Sequence, residues 1–389
     1  MDQCCTIDRI ELYEIAIPFR IPFEISGGVS HYRRSIVVKL TDKDGCSGYG
    51  EAAPFEQPFY SSEIVDTTVV VLEKVLIPRI LGRSFSSVEE LNLALNEGIR
   101  GNHFAKASLE TAYWDLLAQR NQKTFVSLIK EMLAAMGVAP EFLVERDVIE
   151  SGVSIGIPKN LDLGILQEQA AEFAAEGYRR VKIKIRPGWD VQPAKAVRRQ
   201  IGDDFPFWLD GNGAYNLPEH AGVFQALDEV GCLFYEQPLA HNDLWQHSKL
   251  SRLVETPVCL DESLESFSLA QSAVEMKAAA VWNIKLQRVG GLWEALQIYK
   301  LAMEQGIKIW GGTMPESGLG AMPMIAFASL SGFAYPSDIE PSSRWYEAGQ
   351  DLIELHMDEA GCIKVPQCFG TGFDGSRLKE IGKRIAEFR

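Results

Sequence analysis

Five polar side chains stand where buried β-strands would end. Lys184 closes Val181-Lys182-Ile183-Lys184, Asp210 closes Phe207-Trp208-Leu209-Asp210, and Glu236 follows Leu233-Phe234-Tyr235. Asp261 follows Val258-Cys259-Leu260, and Lys285 ends Trp282-Asn283-Ile284-Lys285. The intervals between them are 26, 26, 25 and 24 residues. That is one strand–helix module each, so the five groups are expected to converge at one end of a barrel, where barrel active sites form. Three carboxylates from successive strands suit Mg²⁺, which prefers oxygen ligands and keeps waters that a substrate replaces; Mn²⁺ accepts the same donors. Without a cation, three buried acids would repel one another and be costly to desolvate. A single such acid is more often a helix cap or an ion-pair partner, but three at module spacing favour a metal site. Lys182 and Lys184 are two apart, so both point to one face. Like charge and burial lower lysine pKa values, and a lysine shifted down in this way can serve as a general base. Lys285 arrives from the other side of the ring. The chemistry implied is removal of a proton beside a metal-bound carboxylate, with the metal and one lysine stabilising the enediolate.

The elements that would position these groups follow from periodicity. After about residue 148, short apolar segments at 151–157, 180–186, 205–211, 232–237, 256–261, 279–286, 307–312 and 333–338 alternate with helical stretches such as 163–176, 217–230 and 291–305. This rhythm predicts an α/β fold with a parallel (β/α) barrel. An open doubly wound sheet would want a GxGxxG turn, which Gly152-Val153-Ser154-Ile155-Gly156 does not supply. Before it, β-rich residues 8–20 and 34–40 flank the Gly/Ser segment Ile25–His31, a hairpin with a long, mobile connection. Helical spacing over 62–82, 86–99 and 105–119 completes a small α+β domain. We expect a capping domain over residues 1–130, joined by the C-terminal tail 346–389, and a barrel domain over 131–345.

In order and spacing, these residues resemble the enolase superfamily, in its muconate-lactonizing branch. The matching motifs are Lys182-Ile183-Lys184, Asp210-Gly211-Asn212-Gly213-Ala214-Tyr215, Glu236-Gln237-Pro238-Leu239, Asp261-Glu262-Ser263, Asn283-Ile284-Lys285 with Arg288-Val289-Gly290-Gly291, and Glu316-Ser317-Gly318. The resemblance covers nearly the whole chain and implies a (β/α)7β TIM-like barrel. It also implies Asp210, Glu236 and Asp261 as Mg²⁺ ligands, Lys184 as the base on one face and Lys285 on the other. Lys182, Asn212, Met314, Glu316 and Ser317 would contact substrate. So would Ser26 in one capping-domain loop, with Gly27 and Gly28, and Phe55 and Tyr60 in another, which also holds Phe59. Ser337-Asp338-Ile339-Glu340-Pro341-Ser342-Ser343-Arg344-Trp345-Tyr346 is similar to a pattern of the o-succinylbenzoate synthases and related N-succinylamino acid racemases. The former dehydrate 2-succinyl-6-hydroxy-2,4-cyclohexadiene-1-carboxylate (SHCHC) in menaquinone synthesis. Gly312-Thr313-Met314-Pro315-Glu316 departs from the usual G-G-M-L-E of that group, and its Thr-Met order is closer to muconate cycloisomerases. The resemblance therefore implies a hydro-lyase, with racemase, cycloisomerase or dipeptide-epimerase activity as alternatives. A barrel that only binds a ligand is disfavoured by the complete set of two lysines and three acids.

Composition narrows the partners. The chain has 389 residues, 38 Lys and Arg against 53 Asp and Glu, and a formal net charge of −15. That balance disfavours nucleic acid and anionic membranes, which need clustered cations. No apolar run approaches the length of a membrane span, and no signal peptide is evident. The seven cysteines show no CxxC pattern, which fits reduced thiols in a cytoplasm. Cys4-Cys5 is expected on a flexible end. A small-molecule carboxylate is the expected substrate, and a homo-oligomer is compatible with the resemblance.

Overall fold

The computed structural model describes residues 5–25, 28–58 and 60–389. Its first sheet is built on two long antiparallel strands, β1 (Cys5–Ile25) and β2 (Gly28–Asp42), extended by β3 (Ser47–Ala52). Alternation of side chains sorts their apolar residues between two faces. Ile10, Leu12, Ile36, Val38 and Leu40 belong to the core that includes the helix His103–Asn121. Ile15, Ile17 and Val37 meet Tyr346, Leu352, Phe373 and Leu378 of the C-terminal region instead. The strand Lys383–Phe388 pairs antiparallel with β1, and Cys362–Lys364 pairs with Val148–Glu150.

Two expectations about this region need correction. The hairpin connection is not long, because β1 and β2 stay paired up to Ile25 and Gly28. Both strands are rich in β-branched and aromatic residues, which favour continued pairing. Cys5 is not on a loose end. It opens β1, is fully buried, and its thiol lies 3.8 Å from Asp42 Oδ2. Cys4 lies outside the described residues.

The second sheet has seven parallel strands, each paired with the next in sequence. They are Val153–Ile155, Val181–Lys184, Phe207–Asp210, Tyr235–Glu236, Val258–Leu260, Val281–Ile284 and Lys308–Gly311. Helices alternate with the strands, whose residues are mostly buried apolar groups, as a parallel sheet covered by helices requires, apart from the polar side chains of the site. The eighth expected strand, 333–338, does not form as a strand. Pro336 has no N–H to give a ladder. The segment still bridges the gap: Ala334 N donates to Ile309 O (2.8 Å) and Asp338 N to Gly311 O (2.8 Å), while Gly152 N donates to Ser337 O and Ser337 N to Glu150 O (both 2.9 Å). These bonds close the sheet into a (β/α)7β barrel. Inside it, Trp208, Phe234, Cys259, Val281 and Trp310 form a buried apolar plug. No helix among the described residues is long and apolar enough to cross a membrane.

Candidate active site

Above that plug, the strand ends open into a cavity of about 330 Å³. Lys182, Lys184, Asp210, Asn212, Asp261 and Lys285 line it from the barrel, and Phe55 and Tyr60 from the other sheet's side. Glu236 lies in the floor, fully buried. Lys184 Nζ donates to Asp210 Oδ2 (2.9 Å) and Asn212 Oδ1 (2.6 Å). Lys285 Nζ donates to Asp261 Oδ2 (2.9 Å) and Tyr60 Oη (3.3 Å). Lys182 Nζ donates to Asp338 Oδ2 (2.7 Å) and Glu236 Oε1 (3.1 Å), and lies 3.6 Å from Asp210 Oδ2.

The backbone turns after the strands hold this set. Asn212 takes a left-handed φ of 40°, its N–H donates to Asp210 Oδ1 (2.9 Å), and its amide group donates to Glu262 Oε1 (2.9 Å). Gln237 ties two modules together: its Oε1 accepts from Asp261 N (2.9 Å) and Ser263 N (3.1 Å), and its amide donates to Ser263 Oγ (2.7 Å). Trp208 Nε1 donates to Glu236 Oε2 (2.9 Å), so the plug orients the floor carboxylate. Asp261 Oδ1 accepts from Asn283 Nδ2 (3.1 Å) and from Arg288, whose guanidinium also donates to Leu264 O (3.0 Å). Gly312 leaves room for Lys285, since a Cβ there would lie 2.8 Å from Lys285 Cε.

Burial, then the nearby Asp210 charge, pushes Glu236 up to about 8. Burial with Asp261 and Asp210 pushes Glu262 up to about 7. Burial acts against the Lys182 ammonium, but Asp338, Glu236 and Asp210 outweigh it and hold the group well above its usual range. The expected lowering is therefore reversed for Lys182, because acids surround it more closely than its lysine neighbour does. Lys285 is likewise raised, with Asp261 outweighing burial. Among the described residues, no three Asp, Glu, His or Cys side chains form a ready metal cage; the acids are engaged by lysines and Arg288. The donor set nonetheless fits a hard divalent cation. Asp210, Glu236 and Asp261 are all buried carboxylates, burial above all and the nearby acids after it raise Glu236 and Glu262, and the buried Glu262 Oε2 has no hydrogen-bond partner among the described residues.

Of the expected substrate contacts, Lys182, Asn212, Phe55, Tyr60 and Met314 line the cavity. Ser317 does not: its hydroxyl donates to Glu51 Oε2 (2.5 Å) and its N–H to Glu51 Oε1 (3.3 Å), turning it into the seam with β3. Glu316 folds back on Met314 N and borders a smaller adjoining pocket. Ser26 and Phe59 lie outside the described residues. Sequence reasoning assigned no role to Asp338, Arg180 or Arg288. Arg180 is fully buried, its guanidinium 4.2 Å from the Trp208 ring centroid, and it pairs with Asp338. A signal existed for Asp338, which follows the last barrel segment as the other site residues follow theirs.

A capped parallel barrel whose strand ends gather two facing lysines and three acids defines the class, and comparisons with known proteins agree. Residues 9–129 match the family described as mandelate racemase / muconate lactonizing enzyme, N-terminal domain, and residues 166–377 the one described as enolase C-terminal domain-like. The chain belongs to the enolase superfamily, in its mandelate racemase and muconate-lactonizing branch. It is 39% identical over 372 residues to the o-succinylbenzoate synthase of Geobacillus kaustophilus, covering 95% of this chain and 94% of that one. It is 37% identical over 369 residues to the N-succinylamino acid racemase of Thermus thermophilus, covering 94% of each. The crystal structure of a protein described as an unknown member of the enolase superfamily from Enterococcus faecalis superposes with a TM-score of 0.87 at 32% identity, covering 98% of this chain and 99% of that one.

Proposed function

We propose that this chain is a Mg²⁺-dependent o-succinylbenzoate synthase that dehydrates SHCHC to 2-succinylbenzoate, a step of menaquinone synthesis. The observation that carries it is the placement of Lys184 and Lys285 on opposite sides of one cavity, each bonded to a different buried acid. Mg²⁺, or Mn²⁺, held by Asp210, Glu236 and Asp261 would neutralise those acids and attract the substrate carboxylate. Lys184 takes the proton on the carbon beside that carboxylate. Lys285 keeps its proton and faces the negative charge that develops, a preorganised and buried cation. The Lys184 ammonium then gives its proton to the departing hydroxyl, so that one water leaves and the ring becomes aromatic. Asn212 orients Lys184 from the side, and Phe55 and Tyr60 close the cavity over the reacting carbon.

A second reading is N-succinylamino acid racemisation. It is supported by Lys285 being as well placed as Lys184 to exchange a proton, and by the relative named as such a racemase. Dehydration of SHCHC and racemisation of N-succinylamino acids, measured side by side with Mg²⁺, separate the two. The proposal expects SHCHC turnover that a chelator abolishes and added Mg²⁺ restores. Absence of SHCHC turnover, with any other carboxylate processed, would overturn it.

A further inference from the structure

The two lysines differ in what holds them. Among the described residues, Lys184 is bonded only to Asp210 and Asn212, both on the barrel. Lys285 is also bonded to Tyr60, which comes from the segment after β3 and reaches over the cavity. The phenol oxygen accepts from Lys285 Nζ at 3.3 Å and from Arg288 Nη1 at 3.5 Å. The same ammonium lies 5.1 Å from the Tyr60 ring centroid. A phenol has two acceptor positions and one donor, so both acceptor positions are filled by cations, and no bond donated by the Tyr60 hydroxyl is found among the described residues. Lys285 is buried, while the Lys184 side chain is 27% exposed.

We infer that Tyr60 is a positioning residue for Lys285 alone, so that the capping segment controls proton transfer on one face of the substrate and leaves the Lys184 face to the barrel. Hydroxyl and ring together fix the ammonium between Asp261 and the cavity. Loss of the hydroxyl removes the bond that opposes the pull of Asp261 and leaves the Nζ held from the Asp261 side alone among the described residues. This rests on the proposed carbon-acid chemistry.

The test uses full-length Mg²⁺-loaded protein and both enantiomers of N-succinylphenylalanine in D2O, with α-proton exchange followed by NMR. The variants Lys184→Ala and Lys285→Ala assign each enantiomer to its lysine. In Tyr60→Phe, exchange of the Lys285-served enantiomer should fall about tenfold relative to the other, the scale of a lost hydrogen bond to a charged group. Equal slowing of both enantiomers, or of neither, would overturn the inference. If the wild type exchanges neither enantiomer, N-succinylphenylalanine is not its substrate, and SHCHC turnover alone judges the proposed chemistry. Tyr60 is then judged by peptide-resolved acylation of the same protein without substrate. A several-fold rise in Lys285 labelling in Tyr60→Phe, with Lys184 unchanged, supports the positioning role; no change refutes it.

Discussion

Replacing Glu110 by alanine should unfasten the two halves of the molecule. Glu110 lies on the helix His103–Asn121 and is fully buried. It accepts from Leu292 N (2.5 Å) and Trp293 N (2.8 Å), which open the barrel helix Leu292–Gln305, and from Trp114 Nε1 (2.8 Å). Each buried donor left without a partner costs about 1–3 kcal/mol. Three donors with partial relaxation give about 3–5 kcal/mol, a large share of the roughly 5–15 kcal/mol by which a domain is stable. The cost should also depend on pH. Burial outweighs the three donors and pushes the Glu110 carboxyl from 4.5 up to about 7. Between those values the folded chain holds a proton that the unfolded chain has released. Its contribution is therefore full below the lower value and declines as pH rises towards the upper one. Urea unfolding of wild type and Glu110→Ala at pH 5.5 and pH 8 should show the larger loss at pH 5.5, by about 2 kcal/mol. A loss that grows with pH, or one below about 1 kcal/mol at both values, would refute the assignment of this carboxyl as a protonated clamp.

Gly291, with a φ of 135°, lies so close to Glu110 that a Cβ would overlap its carboxylate. Gly291→Ala should lower the unfolding midpoint, and its cost should shrink in a Glu110→Ala background, as a double-mutant cycle would show. Lys184→Ala should abolish SHCHC turnover while Mn²⁺ binding, followed by calorimetry, persists; near-normal turnover would remove Lys184 as the base. Asp338→Asn should destabilise the fold by about 3–5 kcal/mol in thermal unfolding, because it removes the acid paired with the buried Arg180 and the nearest of the acids around Lys182. Ser317→Ala should change kcat/KM for SHCHC less than Tyr60→Phe does, since Ser317 bonds to Glu51 and not to the cavity.

The barrel and its five strand-end groups were legible in the sequence because each module repeats at nearly constant length and each of these short apolar segments ends on or is followed by a charged residue. Lys184, Asp210, Glu236, Asp261 and Lys285 needed no knowledge of neighbours to be noticed. What surrounds them did. Lys182 reads as one of two like charges on a strand, yet Asp338, 156 residues later, joins Glu236 and Asp210 in reversing its shift once the ring closes through the bridges of the last segment. Ser317 sits in a family motif, but the helix it precedes turns its hydroxyl onto Glu51. Tyr60 is one aromatic among several in its loop until the fold lays it against Lys285. Spacing along the chain determines which side chains share a rim. Which of them touch, and which charge prevails, depends on distances across the rim, and those exist only after the sheets have curled and docked.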